Sequence, residues 1–256
     1  GEPGYWRLLH HDEGWLVVDK AAGIPSEPDR RGVDDSLVAR VARSLGLSQL
    51  HVCGRLDLGV SGVVLLAEGE AARRRWQQLQ ETKTLRKLYV ALATSPPSPA
   101  EGRWTTPIVD PRGQPRAAET AYRVVATVGT SFPGRAESDG SRDGRRQPTF
   151  ASSLSLVALA PATGRYHQLR QHLADAGAPL LGDRRRGAAT RWLTGTGGVR
   201  ELGRVALHAY ALSGLGSRVW SAPFPEELSA AWADFGDEAT LRAELQRLLE
   251  PALWPR

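Results

Sequence analysis

The sequence predicts an α+β fold. Strand-length apolar stretches outnumber helical ones, and helices fall between groups of strands rather than in strict βαβ alternation. The longest apolar runs are strand-sized, Val63 to Ala67 being the clearest. At 256 residues, with 41% hydrophobic and 24% charged residues, the chain has ample material for a soluble core. A single domain is expected over 15–256, preceded by a polar surface segment at 1–14.

Taken in order, Trp15 to Asp19 reads as a strand and Ala21-Ala22-Gly23 as a turn. Residues 25–32 form a polar loop carrying Arg30 and Arg31. Asp35 or Ser36 can cap a helix whose apolar positions Leu37, Val38, Val41 and Leu45 follow helical spacing, with Gly46 as its stop. Next comes His51 to Gly69, centred on Arg55-Leu56-Asp57. Gly59 and Gly62 free the backbone for a tight turn, and Val63 to Ala67 suits a strand buried on both faces. Glu70 to Lys83 reads as a helix; its run Arg73, Arg74 and Arg75 fits either a solvated face or an RNA contact. Leu85 to Ala93 alternates as a strand before Ser95-Pro96-Pro97-Ser98-Pro99 breaks the chain. Glu119 to Thr127 and Ala151 to Leu159 are strands. The segment between them, 129–149, is rich in Gly, Ser, Asp and Arg and reads as a flexible insertion bearing Arg135, Arg142, Arg145 and Arg146. Thr163-Gly164 opens a helix through about Ala176. Residues 188–203 read as an irregular link, Val205 to Leu212 as a strand, and Glu226 to Leu249 as one or two closing helices.

Net charge is +5, and lysine occurs only at positions 20, 83 and 87, so the basic set is almost entirely arginine. That bias fits a nucleic-acid partner, because guanidinium groups hold phosphates bidentately and stack on bases; GC-rich codon usage would produce it equally. Cys53 is the sole cysteine, which rules out an intrachain disulfide and favours a cytoplasmic setting. No apolar run approaches the 20 or so residues that span a bilayer, and no secretory leader is visible. No membrane partner is expected. There is no cysteine–histidine cluster, P-loop or GxGxxG fingerprint, so neither a metal nor a small-molecule cofactor is expected. His10-His11 lacks a third ligand, and His167 and His172 diverge on a helix. A monomer is expected.

Asp57 would stand on a loop against the end of a core strand, beside a fixed cation. A carboxylate there can serve as nucleophile or base; an ordinary ion pair is the plain alternative. The stretch GRLDLGVSGVVLLA resembles the motif around the catalytic aspartate of the RluA-type pseudouridine synthases, HRLDxxTSGLLLLA. Three further stretches resemble that family in the same order: Leu16 to Gly23 its LVVDKPAG strand and turn, Arg86 to Ala91 its KxYxA strand, and Thr163 to Gly187 its TGRTHQIRVHLAxxGxPxxGDxxYG motif. Weaker echoes lie at Leu207-His208-Ala209-Tyr210 and Ala222-Pro223-Phe224-Pro225.

The resemblance implies a bisected, mostly antiparallel sheet with a central cleft, and cofactor-free isomerisation of uridines in ribosomal or transfer RNA by base flipping. It implies Asp57 as the catalytic aspartate and Arg170 as its salt-bridge partner, a pair worth roughly 4 kcal/mol at 4 Å before desolvation. Tyr89 matches the active-site tyrosine, whose ring stacks on uracil and whose hydroxyl is a candidate for the final proton transfer. Leu207 matches an apolar residue on the other side of the base. Arg55 fills the vacated space or holds a neighbouring phosphate, while Arg165, His167 and Gln168 support the cleft. The chain departs from the pattern at Gly54 (usually His), Val60 and Tyr166 (usually Thr), Ala21 (usually Pro) and Arg186 (usually Tyr). A non-catalytic RNA-binding protein on the same scaffold is the alternative from another class. A serine hydrolase built on Ser61 is excluded, because Gly59-Val60-Ser61-Gly62 is not G-x-S-x-G and no Asp–His pair is placed with it.

Overall fold

A computed structural model describes residues 1–29, 34–129, 150–194 and 197–249. The loop arginines Arg30 and Arg31 and the expected insertion, apart from Gly129, lie outside the described residues. In chain order the first elements are β1 (Trp6–Asp12), β2 (Trp15–Lys20), α1 (Leu37–Leu45), β3 (Leu50–Cys53), β4 (Ser61–Glu68) and α2 (Gly69–Glu81). Then come β5 (Arg86–Ala93), β6 (Glu101–Trp104), β7 (Ile108–Val109), β8 (Pro115–Arg116), β9 (Thr120–Gly129) and β10 (Ser153–Pro161). The chain closes with α3 (Gln168–Asp175), β11 (Arg191–Leu193), β12 (Val199–Glu201), β13 (Leu207–Leu215), β14 (Arg218–Ser221), α4 (Glu226–Trp232) and α5 (Glu238–Arg247).

These elements form two compact units, Gly1–Leu88 with His208–Pro225, and Tyr89–Leu207 with Glu226–Arg256. In the first, β2 lies antiparallel between β1 and β4, and β3 and β14 add antiparallel to β4 and β13. A parallel contact there joins β4 to β13, with Ser61 opposite His208 and Gly62 opposite Ala209. β4 is buried on both faces from Ser61 to Ala67, as its unbroken apolar run requires. Its alternate residues Val63, Leu65 and Ala67 pack with Trp15, Val17, Cys53 and Ala72 of α2. In the second unit, β5, β10, β9 and β6 run antiparallel in that order, and β7/β8 and β11/β12 are short hairpins. The chain is therefore α+β with mostly antiparallel pairing.

Helix α1 begins and ends where its caps dictate. Ser36 accepts the Ala39 N–H at 3.3 Å, and Gly46 takes the left-handed conformation at φ 68°.

Three expectations change. Residues 1–14, read as a polar surface segment, contain β1; Trp6 is only 4% exposed and pairs with Lys20, and Leu9 packs against the core cluster, so apolar residues among the polar ones anchor the strand. The helix expected from Thr163 starts at Gln168, because the Gln168 amide oxygen accepts the Thr163 hydroxyl (2.7 Å) and the Arg165 N–H (3.1 Å), holding 163–167 as a turn. The link 188–203 contains β11 and β12, anchored by the buried Trp192; three-residue strands carry too little alternation to be read from sequence.

Candidate active site

In the first unit, Asp57 is set by its backbone. β2 ends at Lys20, fully buried, whose Nζ donates to the carbonyls of Ala21 (2.9 Å) and Ile24 (2.8 Å) and folds the turn that follows. That turn grips the Asp57 loop. The Leu58 carbonyl accepts the Gly23 N–H at 2.7 Å, and Ser26 Oγ donates to the Leu56 carbonyl (2.7 Å) while accepting the Leu56 N–H (3.0 Å). Both backbone groups of the residue before Asp57 are thus fixed. The Val60 N–H closes the turn on the Asp57 carbonyl at 3.0 Å. Positive φ falls at Gly54 (80°) and Gly62 (117°) rather than at Gly59. At Gly62 a Cβ would lie 2.1 Å from the Ala209 carbonyl oxygen, so only glycine lets β4 approach β13 there. Beside it Ser61 Oγ lies 2.8 Å from His208 Nδ1, and His208 Nε2 lies 3.1 Å from the Ala222 carbonyl. The carbonyl must accept, so Nε2 carries the proton and Nδ1 accepts from Ser61.

Asp57 itself is half-buried. Arg55 is not the fixed cation expected beside it: its side chain is 66% exposed and its carboxylate neighbour is Glu27 at 4.0 Å. Long exposed side chains at loop positions reach outward to the nearest rim charge, which here is Glu27. The Gly54 carbonyl accepts from Lys87 Nζ at 3.3 Å. Burial pushes the Lys87 ammonium down to about 8 and the neighbouring Cys53 thiol up to about 12.

The second unit holds the other expected residues. Tyr89, half-exposed on β5, pairs with Leu159 of β10. Arg170, on α3, is gripped by Asp183, its Nε and Nη2 donating to the two carboxylate oxygens at 3.0 and 2.7 Å. The Asp183 side chain is wholly buried and that of Arg170 only 13% exposed, so this is a bidentate pair with little solvent screening. His167 sits at φ 50° as the N-cap of α3, with Nε2 3.4 Å from Arg170 Nη1. Its ring stacks on Tyr166 (centroids 3.8 Å apart, planes at 16°), and the Tyr166 hydroxyl accepts from Arg185 at 3.0 Å. Gln168 is buried, and its amide nitrogen donates to the Glu119 carbonyl and Thr120 Oγ1, both at 2.9 Å. Arg165 is exposed and donates to the Ala117 carbonyl at 2.9 Å; Leu207 is buried at the head of β13.

His172 Nε2 donates to the Thr106 carbonyl and Nδ1 faces Thr120 Oγ1, both at 2.8 Å, which makes it a structural histidine. Among the described residues, no group of three or more His, Cys, Asp or Glu is placed to hold a metal. No helix among them is long and apolar enough to cross a membrane. Sequence reasoning missed Ser26, Lys87 and Asp183. Asp183 and Lys87 had signals, since Asp183 stands at the aspartate of the GDxxYG end of the third motif and Lys87 at the lysine of KxYxA; Ser26 acts on the main chain of Leu56, which no residue pattern encodes.

The model of the RNA pseudouridylate synthase family matches residues 14–175, well over half of the chain. The chain belongs to the RNA pseudouridylate synthase family. It is 32% identical over 188 residues to the dual-specificity RNA pseudouridine synthase RluA of Salmonella typhimurium, covering 69% of this chain and 75% of that one. An uncharacterized RNA pseudouridine synthase, YhcT, of Bacillus subtilis is 31% identical over 241 residues, covering 91% of this chain and 70% of the other. The human RNA pseudouridylate synthase domain containing 1 structure shares the fold at TM-score 0.64 and 20% identity, covering 96% of each chain.

Within this pseudouridylate synthase, two departures from the family pattern have local causes. Gly54 stands where the pattern has His because its φ of 80° is one that L side chains rarely adopt. Val60, in place of Thr, is 2% exposed and adds apolar packing under the loop rather than a polar contact on it.

Proposed function

We propose that this chain isomerises uridine to pseudouridine in ribosomal or transfer RNA, with Asp57 as the group that opens the reaction. The reaction breaks the N1–C1′ bond, turns the base and joins C5 to C1′. The proton on C5 leaves and N1 gains one, so the step is redox-neutral and needs no cofactor. Asp57 acts as nucleophile or base on the nucleoside. Arg170, held by Asp183, supplies the positive charge that the family resemblance assigns to keeping this carboxylate ionised. Tyr89 stacks on the detached uracil, and its hydroxyl is the candidate to handle the C5 proton. Leu207 covers the other face of the base. Arg55, exposed and 4.0 Å from a rim carboxylate, is able to exchange Glu27 for a phosphate or to enter the gap left by the everted base. Arg165 contacts RNA, while His167 and Gln168 shape the turn that presents Arg165 and Arg170. We further infer that the protein works as a cytoplasmic monomer, over a single catalytic domain spanning 15–256.

One observation supports the Asp57 assignment above the rest. Both backbone groups of Leu56 are clamped by Ser26, and the Asp57 turn leads directly into the fully buried β4. A solvated surface carboxylate does not need such a mount; a group that must meet a sugar carbon in fixed geometry does. The test is incubation with RNA transcripts labelled with tritium at uracil C5. Release of tritium stoichiometric with pseudouridine supports the reading. Salt-sensitive RNA binding without release would leave a binding protein on this scaffold and refute it.

A further inference from the structure

The first unit carries a groove of about 580 Å³ that the isomerisation does not use. It is walled by β1, the start of β2, the second half of α2 and the β13–β14 turn. Trp15 forms its floor and Trp220 one side. The registers of β2 and β4 place it at the Trp15/Ala67 end of the sheet, whereas the Asp57 loop joins β4 at the Lys20/Gly62 end. Five strand residues separate the two ends, roughly 17 Å. The groove is therefore a separate site on the same unit as the reactive aspartate, within the span of a few nucleotides.

Its chemistry is distinctive. The His10 and Trp220 rings lie 5.0 Å apart, tilted at 38°, and His10 Nδ1 accepts from Arg218 Nη1 at 3.5 Å. The Arg75 guanidinium lies 5.3 Å from the centre of the Trp15 ring. Neither Arg75 nor Arg218 has a carboxylate partner among the described residues, whereas Arg73, on the same helix as Arg75, is held by Glu70 at 2.7 Å. Two exposed guanidinium groups without counter-ions beside a half-buried indole match a phosphate and a base. Asp12 and Glu13 also line the groove, which disfavours a purely anionic ligand and supplies acceptors for an amino group.

We propose that this groove is a second RNA-binding site that takes an unpaired nucleotide with an amino-bearing base, adenine, cytosine or guanine, a few nucleotides from the target uridine. The base stacks against Trp220, its amino group meets the Asp12 or Glu13 carboxylate, and the phosphate meets Arg75 and Arg218. The proposal rests on the reading of the chain as an RNA isomerase.

Anisotropy of a fluorescein-labelled ten-nucleotide oligoadenylate, titrated with the full chain over a range of salt, tests it alongside oligouridylate and free AMP. Wild type should bind oligoadenylate more tightly than oligouridylate. The double variant Arg75→Ala/Arg218→Ala should weaken binding about tenfold and flatten the log affinity–log salt slope by about one to two. Trp220→Leu, which keeps apolar cover over the core, should weaken binding about fivefold at every salt without changing the slope. Tritium release from a short substrate confined to the target loop should be unchanged in both variants, a result that damage to the fold would not give. Equal affinity and slope in wild type and the double variant, with release intact, would overturn the groove alone. AMP binding as tightly as the oligomer, in a Trp220-dependent way, would replace RNA by a free nucleotide and overturn it as well. A wild type that neither releases tritium nor binds RNA would bring down the isomerase reading and the groove with it.

Discussion

Asp183→Asn is the most informative perturbation away from the reactive aspartate. It keeps the side chain's shape and removes the charge that grips Arg170 at 3.0 and 2.7 Å. Charge-assisted hydrogen bonds contribute about 1.5–3 kcal/mol each, and removing one partner of a buried pair costs about 3–5 kcal/mol. The asparagine oxygen still accepts one bond, so the expected loss sits at the lower end, about 3 kcal/mol. For a chain of this size that lowers Tm by roughly 6–12 °C. Because Arg170 then loses its aim, turnover should fall about 100-fold, the usual consequence of misplacing a catalytic group by an ångström. Thermal melts and tritium release read the two effects. A double-mutant cycle with Arg170→Gln isolates the pair: the two single losses should together exceed the double variant's loss by more than about 1 kcal/mol. Additivity within about 0.5 kcal/mol would refute the idea that Asp183 acts through Arg170.

Two further outcomes follow from the first unit. Ser26→Ala strands the Leu56 N–H and carbonyl and should cost about 1–3 kcal/mol in denaturant melts, with a drop in kcat larger than any change in KM; unchanged kcat would show that the clamp does not position Asp57. Asp19 is raised to about 6, first by burial, with Arg7 at 3.8 Å opposing the effect. Below about pH 4 the folded and unfolded chains both hold this proton. Between about 4 and 6 only the folded chain does, so stability falls as pH rises, and above 6 the cost is constant at about 3 kcal/mol. Asp19→Asn should therefore match wild type near pH 4 and gain an advantage that grows to a plateau above pH 6, measured as the difference in Tm across that range; a constant difference would contradict it.

Much of the frame was legible because the signals were local. The Leu37–Leu45 helix has its cap residue, its apolar spacing and its terminal glycine in the right places, and β4 is an unbroken apolar run. Elements that depend on distant partners were not legible. β1 is held by its pairing with β2, by buried Trp6 and by Leu9 against the core, and the helix expected from Thr163 is delayed by the Gln168 side chain folding back on its own approach. The motifs pick out Asp57 and Arg170 as candidates. What fixes the Asp57 loop was not legible, since Ser26 lies 30 positions from Leu56 and acts only on its main chain. Gly54 was read as a departure from pattern, whereas its φ of 80° makes it a backbone requirement of this particular loop.

The most direct test of the account replaces a single oxygen by nitrogen. Asp57→Asn keeps the volume and the Ser26-held backbone and removes the negative charge. RNA binding and Tm should stay near wild type, while release of tritium from uracil C5 should fall to the background of an enzyme-free control. Release at the wild-type rate by a well-folded Asp57→Asn variant would contradict the central claim.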